Sequence, residues 1–297
     1  MILLSRDILF KKIYRYGVRG PNLELIKSYF TGRDQHVLYN NYFSDIRAQE
    51  LGVIQGSKNG PLFYDIYSSD INLICDETEN IHYADDTCLI YVGNNLSSLT
   101  AHVNDRLKTI LDRCNCNKLS LNPSKSELII FTNKPIDNEP LIYLGNSLIE
   151  RKSTVKYLGL NIDDNLKFNS HLDNLRRKLA QLSGASYRLE DHFNLKASKI
   201  FYFACVYSQL TYCLSVFGGW LGTGRGERLV KLHERIVRNL FNKYSNGRCP
   251  FKCNNILKLK DIYQLHACIH VFKIIRLSTN DVVAGTMAIQ ITNMICH

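Results

Sequence analysis

Apolar positions along the chain recur with two different spacings, and the mixture predicts its elements. Ile8, Leu9, Ile13 and Tyr14 fall at helical spacing from Asp7 and stop at Tyr16-Gly17, and Leu25, Ile26, Tyr29 and Phe30 mark a second helix from Asn22. His36 to Leu38 and the residues after the Asn40-Asn41 turn read as a hairpin. Gly60-Pro61 opens a helix with Leu62, Phe63, Ile66 and Tyr67 on one face. The run from Ile81 to Tyr91 is β-branched, aromatic and aliphatic, broken in its middle by Asp85-Asp86, which predicts a hairpin carrying both carboxylates at its tip. Leu99, Val103, Leu107, Leu111 and Cys114 make a long amphipathic helix. Lys118 to Phe131 is a turn feeding a strand, and Leu141 to Leu144 pairs with Ser147 to Ile149 around Gly145-Asn146. Thr154 to Ile162 is a further strand, with Gly159 where a neighbour or a nucleic-acid backbone could approach. Strands and helices alternate without a parallel repeat, so the expected class is α+β, an antiparallel sheet with helices on one face.

Beyond Phe168 the pattern turns to helices only. Leu172, Leu175, Leu179 and Leu182 form one stripe, with Arg176, Arg177 and Lys178 beside it. Leu229, Leu232, Ile236 and Leu240 form another, with Lys231, Arg235 and Arg238 outside. Two domains are therefore expected, 1–168 and 169–297. The window Ile200 to Leu221 carries no charge, but Ser208, Gln209, Thr211, Ser215 and Gly218-Gly219 favour a buried helix and a turn over a membrane span.

Charge sharpens that division. The net +10 is uneven: residues 1–150 sum to −3 and residues 151–297 to +13. A basic half beside a half holding an acidic tip fits a polyanion gripped by one part and worked on by the other, although solvated lysine-rich surface gives the same count. The 45% hydrophobic share is that of a globular chain. Ten cysteines scattered through apolar segments, with no secretory signal ahead of them, read as reduced buried thiols in an intracellular protein of cytoplasm or nucleus. Cys249 and Cys253 have ligand-like spacing, but no matching second pair accompanies them.

The candidate chemistry sits at Asp85-Asp86. Adjacent carboxylates repel unless a cation lies beside them, so the tip is a candidate site for a divalent cation with oxygen ligands such as Mg²⁺. A polar turn capping a surface hairpin accounts for the same two residues.

Taken together, the segments resemble the reverse transcriptases of non-LTR retrotransposons of the jockey-like and LINE type. Tyr83-Ala84-Asp85-Asp86 resembles the family's catalytic box, and Gly52-Val53-Ile54-Gln55-Gly56-Ser57, followed by Gly60-Pro61-Leu62 and Ile66-Tyr67, resembles the motif before it. Leu119 to Phe131 is similar to the next motif, with its Asn-Pro-x-Lys core, and Val155-Lys156-Tyr157-Leu158-Gly159 to the primer grip. Tyr207 to Cys213 and Leu257 to Tyr263 resemble thumb segments.

The resemblance implies a right-hand polymerase palm followed by an all-helical thumb, copying RNA into DNA with two Mg²⁺ ions about 4 Å apart. It makes Asp85 a direct metal ligand and Asp86 a secondary one. Gln55, Gly56 and Ser57 would lie against template and incoming nucleotide, and Lys125 would approach the triphosphate. Tyr157, Leu158 and Gly159 would steady the primer end. Arg176, Arg177, Lys178, Lys231, Arg235 and Arg238 would grip the nucleic-acid backbone. The implied partners are an RNA template, a DNA primer or RNA–DNA hybrid and deoxynucleoside triphosphates, with no membrane; the oligomeric state is left open.

The departures matter. Alignment on Asp7-Ile8-Leu9 puts Ile2 where the family carries its first metal-binding aspartate, so the expectation is an N-terminally truncated chain, fingers missing and activity impaired. Ile54 replaces a proline, and Asp65 falls on a helix that is usually apolar there. The competing expectation is an inactive nucleic-acid-binding remnant or pseudogene fragment.

Overall fold

The structure, a computed structural model, describes residues 4–49, 51–54, 56–72, 79–136, 138–277 and 287–292. It divides into two compact units, Met1–Ser153 with Gly285–His297, and Thr154–Ala284. The first cut falls ahead of the 168/169 boundary read from the sequence, so the hairpin before Phe168 packs with the helices.

The first unit opens with α1 (Arg6–Arg15) and α2 (Pro21–Phe30), followed by four two-residue strands, β1 (Asp34–Gln35), β2 (Leu38–Tyr39), β3 (Tyr42–Phe43) and β4 (Arg47–Ala48). β2 and β3 meet at Asn40-Asn41, both at positive φ, as the sequence implied. Then come α3 (Gly60–Asn72), β5 (Glu79–Tyr83), β6 (Asp86–Gly93), α4 (Leu96–Cys116), β7 (Glu127–Phe131), β8 (Ile142–Leu144) and β9 (Ser147–Ile149). α4 starts where Asn95 accepts hydrogen bonds from the Ser97 and Ser98 amides. It buries Leu99, Val103, Leu107, Ile110 and Cys114, so Ile110 takes the core position expected of Leu111. These residues join Leu9, Ile13, Phe30, Phe63, Tyr67, Leu89, Tyr91, Leu128 and Ile130 in one core.

A polar link crosses that core's edge. Lys12 donates to Asp70 Oδ1 at 2.7 Å and to the Tyr67 carbonyl, while Asn117, the C-cap of α4, donates to both Asp70 oxygens at 3.1 and 3.0 Å. Tyr67 accepts from the Ser5 amide and donates to the Asn117 carbonyl. α1, α3 and the end of α4 are thereby tied together.

The second unit begins not with the single strand expected over Thr154 to Ile162 but with a hairpin, β10 (Thr154–Tyr157) and β11 (Leu160–Asp163), because Leu158 and Gly159 adopt φ of 45° and 84° and turn the chain. Leu160 belongs to the second core, which is why the hairpin goes with the helices. α5 (Asn169–Leu189), α6 (Leu195–Phe201), a π-helical stretch (Tyr202–Tyr207), α7 (Ser208–Thr211), α8 (Leu214–Phe217), α9 (Gly224–Phe241), α10 (Pro250–Cys253) and α11 (Leu259–Leu277) follow. Leu172, Leu175 and Leu179 of α5 pack with Leu229, Ile236 and Leu240 of α9. Among the described residues no single helix is long and apolar enough to cross a membrane; the uncharged window is bent by 52° between Leu195–Thr211 and Leu214–Gly222.

The coarse α+β reading holds, with mixed helices and small antiparallel sheets. Two expectations are corrected. The region beyond Phe168 is not helices only: β12 (Met287–Thr292) enters the first unit's sheet between β6 and β7, antiparallel to both, giving the order β5-β6-β12-β7. Nor are the cysteines uniformly buried. Cys88 and Cys114 are, but Cys116, Cys249, Cys253 and Cys268 are exposed.

Candidate active site

The β5–β6 hairpin turns on two residues, Ala84 at φ 53° and Asp85, with Tyr83 paired to Asp86. A two-residue turn needs positive φ to match strand twist. It puts Asp85 on the turn itself and Asp86 at the first position of β6, so the carboxylates are adjacent but lie on different parts of the hairpin. Both are half-buried. Burial, and then the neighbouring Asp85 charge, push the Asp86 carboxyl above the usual carboxylate range. Burial and the same Asp85 charge push the Tyr64 phenol up.

Beside the tip lies a cavity of about 720 Å³, lined by Val53, Ile54, Gly56, Ser57, Gly60, Pro61, Tyr64, Asp65, His82, Tyr83 and Ala84. The loop reaches it because Gly56 adopts φ 79° and α3 starts directly after, at Gly60. A Cβ on Gly60 would meet Ser57 Oγ at 3.0 Å and the Ile54 carbonyl at 3.3 Å, so a side chain there would make helix and loop give by a few tenths of an ångström. Three polar atoms on the lining are buried without a hydrogen-bond partner, namely Ser57 Oγ, Tyr64 Oη and His82 Nε2. Such atoms cost about 1–3 kcal/mol each unless water or another polar group meets them. His82 Nδ1 lies 2.9 Å from Thr87 Oγ1, and burial lowers its pKa against the raising effect of Asp65.

Of the residues singled out from sequence, Gly56 and Ser57 share this cavity with Tyr83 and Ala84 of the hairpin, and neither Asp85 nor Asp86 is on its lining. Gln55 lies outside the described residues, as does Ile2. Lys125 is exposed on a 3-10 turn, Pro123–Lys125, and is not on the cavity wall. Tyr64, Asp65 and His82 were not anticipated as site residues; Asp65 had signalled itself only as a charge on an apolar helix.

Tyr157, Leu158 and Gly159 belong to the second unit. The Tyr212 hydroxyl donates to the Leu158 carbonyl, and the Tyr212 ring lies 3.4 Å from where a Gly159 Cβ would stand. Next to this turn is a cavity of about 630 Å³ whose wall includes Lys156, Asn161, Asn174, Arg177, Lys178 and Gln209, and no carboxylate. Arg177 and Lys178 hydrogen-bond to the amides of Asn174 and Gln209. Arg176 instead sits 4.0 Å from Asp173, and Arg238 is 3.7 Å from Glu234, while Lys231 and Arg235 are exposed on α9.

A two-cation site at the tip would need more donors than the hairpin offers. Asp85 and Asp86 supply two carboxylates, and among the described residues no group of three His, Cys, Asp or Glu side chains could hold a metal ion. Two cations need more oxygen ligands than one adjacent pair provides, so the described set falls short.

Comparison with known proteins gives a consistent result. The family model described as "Reverse transcriptase (RNA-dependent DNA polymerase)" matches residues 4–162. A probable RNA-directed DNA polymerase from transposon BS of Drosophila melanogaster is 29% identical over 246 residues, 78% of this chain and 26% of the relative. The RNA-directed DNA polymerase from mobile element jockey of the same organism is 29% identical over 175 residues, 55% of this chain and 19% of the relative. That from transposon X-element is 28% identical over 182 residues, 57% of this chain and 20% of the relative. The chain therefore spans about a quarter or less of these relatives' length. No solved structure matches it.

Proposed function

The chain belongs to the reverse transcriptase family, with relatives of the jockey-like, non-LTR kind, and from that premise we propose that it is the palm and thumb portion of an RNA-directed DNA polymerase. The palm runs through residue 168, so that β10–β11 serves the palm although it packs with the helices, and the thumb follows. The observation that carries the reading is the cavity joining Gly56 and Ser57 to the turn before Asp85.

Reverse transcriptases generally use divalent metal ions. On this reading Asp85 and Asp86 are the ligands this chain contributes, Mg²⁺ is the ion, and the set is incomplete because Ile2 stands where the resemblance expects an aspartate. No catalytic step is derived through it. The chain's own groups position substrates instead. Gly56 and Ser57, with Tyr64 and His82, face template and incoming nucleotide, and Lys125 faces the triphosphate. Tyr157 to Gly159 steady the primer end. Lys156, Arg177 and Lys178 neutralise backbone phosphates without reading bases, and Arg176, Lys231, Arg235 and Arg238 contribute more distantly.

Primer extension on an RNA template with Mg²⁺ tests this. Weak, template-dependent synthesis lost in Asp85→Asn is the expected result; robust synthesis overturns the impairment. A second reading, a nucleic-acid binder without catalysis, is favoured by the short donor set. It predicts salt-sensitive binding of RNA–DNA hybrid that survives Asp85→Asn, and absence of binding at low salt removes both readings.

A further inference from the structure

The second unit holds another basic concavity, one that neither the family's motifs nor the stripes of α5 and α9 pointed to. It measures about 520 Å³ and is lined by Lys167, Asn169, Trp220, Thr223, Gly224, Arg225 and Arg228. That volume is in the range of small-ligand pockets, roughly 300–1,000 Å³. Three cations and one tryptophan line it, and among the described residues no carboxylate does. Arg225 has an ion pair, to Asp173 Oδ2 at 3.2 Å from the α5 side; Lys167 and Arg228 have none among the described residues. Two of the three cations are therefore unpaired among the described residues, and they share the pocket with the half-buried Trp220.

The wall is also built rather than loose. Gly226 is buried at the start of α9, and a Cβ there would lie 2.3 Å from the Trp220 carbonyl and 2.4 Å from Leu221 Cα. Backbone contact this close fixes the corner between Trp220 and α9. Thr223 closes the same corner, its amide and hydroxyl both donating to the Trp220 carbonyl at 3.0 and 2.7 Å. On the other wall the Asn169 amide donates to Asp163 Oδ2 at 2.6 Å and the Lys167 amide to Asn165 Oδ1 at 3.0 Å. Asp163 is buried and also accepts from the Thr154 hydroxyl at 3.2 Å, so its carboxylate ties this wall to β10.

We infer that this pocket binds single-stranded nucleic acid, a base stacking on Trp220 while Lys167 and Arg228 take the flanking phosphates. Phosphate neutralisation next to an aromatic platform is the sequence-tolerant way of holding a single strand. Arg225, anchored by Asp173, orients the strand at the pocket's rim. The choice of ligand rests on the polymerase reading; the pocket itself does not.

Trp220 is the chain's one tryptophan, so its emission reports this pocket directly. The full chain, without metal or nucleotides, is titrated with a short oligothymidylate, with inorganic phosphate and with a phosphotyrosine peptide, following tryptophan emission and, for the labelled oligomer, anisotropy. Saturable quenching by the oligomer alone is expected. Lys167→Gln with Arg228→Gln weakens oligomer binding about tenfold and reduces the salt slope by about 1.4, since each single-strand phosphate contact contributes about 0.7. The charge-matched Lys258→Gln with Lys260→Gln leaves both unchanged, and equal melting temperatures show that all forms fold. Binding without a change in emission, equal losses in both double variants, or preferential quenching by the peptide overturns the proposal. Because Asp85→Asn leaves this titration unaltered, a polymerase reading that fails does not carry the pocket with it.

Discussion

Tyr202 Oη and His233 Nε2 lie 2.9 Å apart in the core of the second unit, both side chains fully buried. Phe241 and Phe251 surround them, and His233 Nδ1 has no partner. Burial pushes the His233 pKa down to about 4. The folded state therefore binds this proton less readily than the unfolded state, whose imidazole titrates near 6.5. Stability from the neutral ring is complete above pH 6.5 and is lost as pH falls towards 4, by about 3 kcal/mol. Urea midpoints measured between pH 7.5 and 4.5 check this: His233→Gln lowers stability at neutral pH but flattens its decline on acidification.

The Lys12–Asp70–Asn117 link predicts a different sensitivity. Asp70→Ala leaves the mostly buried Lys12 ammonium and the Asn117 amide without their acceptor. Removing one partner of a partly buried pair costs about 2–3 kcal/mol, more than the pair itself contributes. The Lys12→Met, Asp70→Ala double variant recovers part of that loss, and a double-mutant cycle by urea denaturation measures the coupling. A cost of Asp70→Ala below about 0.5 kcal/mol contradicts it.

Much of this was legible because it is local. The apolar stripes, the positive-φ turn at Asn40-Asn41 and the break at Asp85-Asp86 are all written in spacings of a few residues, whereas Leu158-Gly159 read as part of one strand and is a turn. His233 was legible too: it falls four residues after Leu229 and three before Ile236, on the apolar face of α9, and a search for polar residues on core faces finds it. What stayed hidden depends on contacts far apart in sequence. Nothing near Met287–Thr292 says that it inserts between β6 and β7. Tyr64 and His82 become site residues only when α3 and β5 converge, and Lys156 meets Arg177 and Lys178 only through the packing of β11 on α5. Arg176 and Arg177 are neighbours in sequence, yet the helical rotation between them sends one towards Asp173 and the other to the cavity wall.

At the hairpin tip, removing one carboxylate changes the titration of the other. Asp86 is raised first by burial and then by the Asp85 charge. Asp85→Asn removes the second cause and leaves the first, so the Asp86 pKa falls yet stays above its ordinary value. A divalent cation bound at the tip moves Asp86 in the same direction in the unaltered chain, because a nearby positive charge favours the ionised form. Carboxyl-carbon NMR titration of both forms, with and without Mg²⁺, reads all three shifts. An Asp86 pKa that Asp85→Asn leaves in place removes the coupling between the two residues.

The corner at Trp220 makes the sharpest contrast between neighbouring glycines. A Cβ on Gly224 meets nothing within 4 Å, whereas one on Gly226 runs into the Trp220 carbonyl and the Leu221 backbone. Alanine at 224 relieves the entropic weakness of glycine in the first turn of α9 and is neutral or slightly stabilising. Alanine at 226 forces a backbone shift, since the opposing atoms are main chain and cannot rotate away, and costs about 3 kcal/mol. The same shift opens the pocket wall, so tryptophan emission moves to longer wavelength in Gly226→Ala and not in Gly224→Ala. Thermal melts and emission spectra of the two variants side by side test both halves, and equal melting temperatures would mean that the corner is not held by this contact.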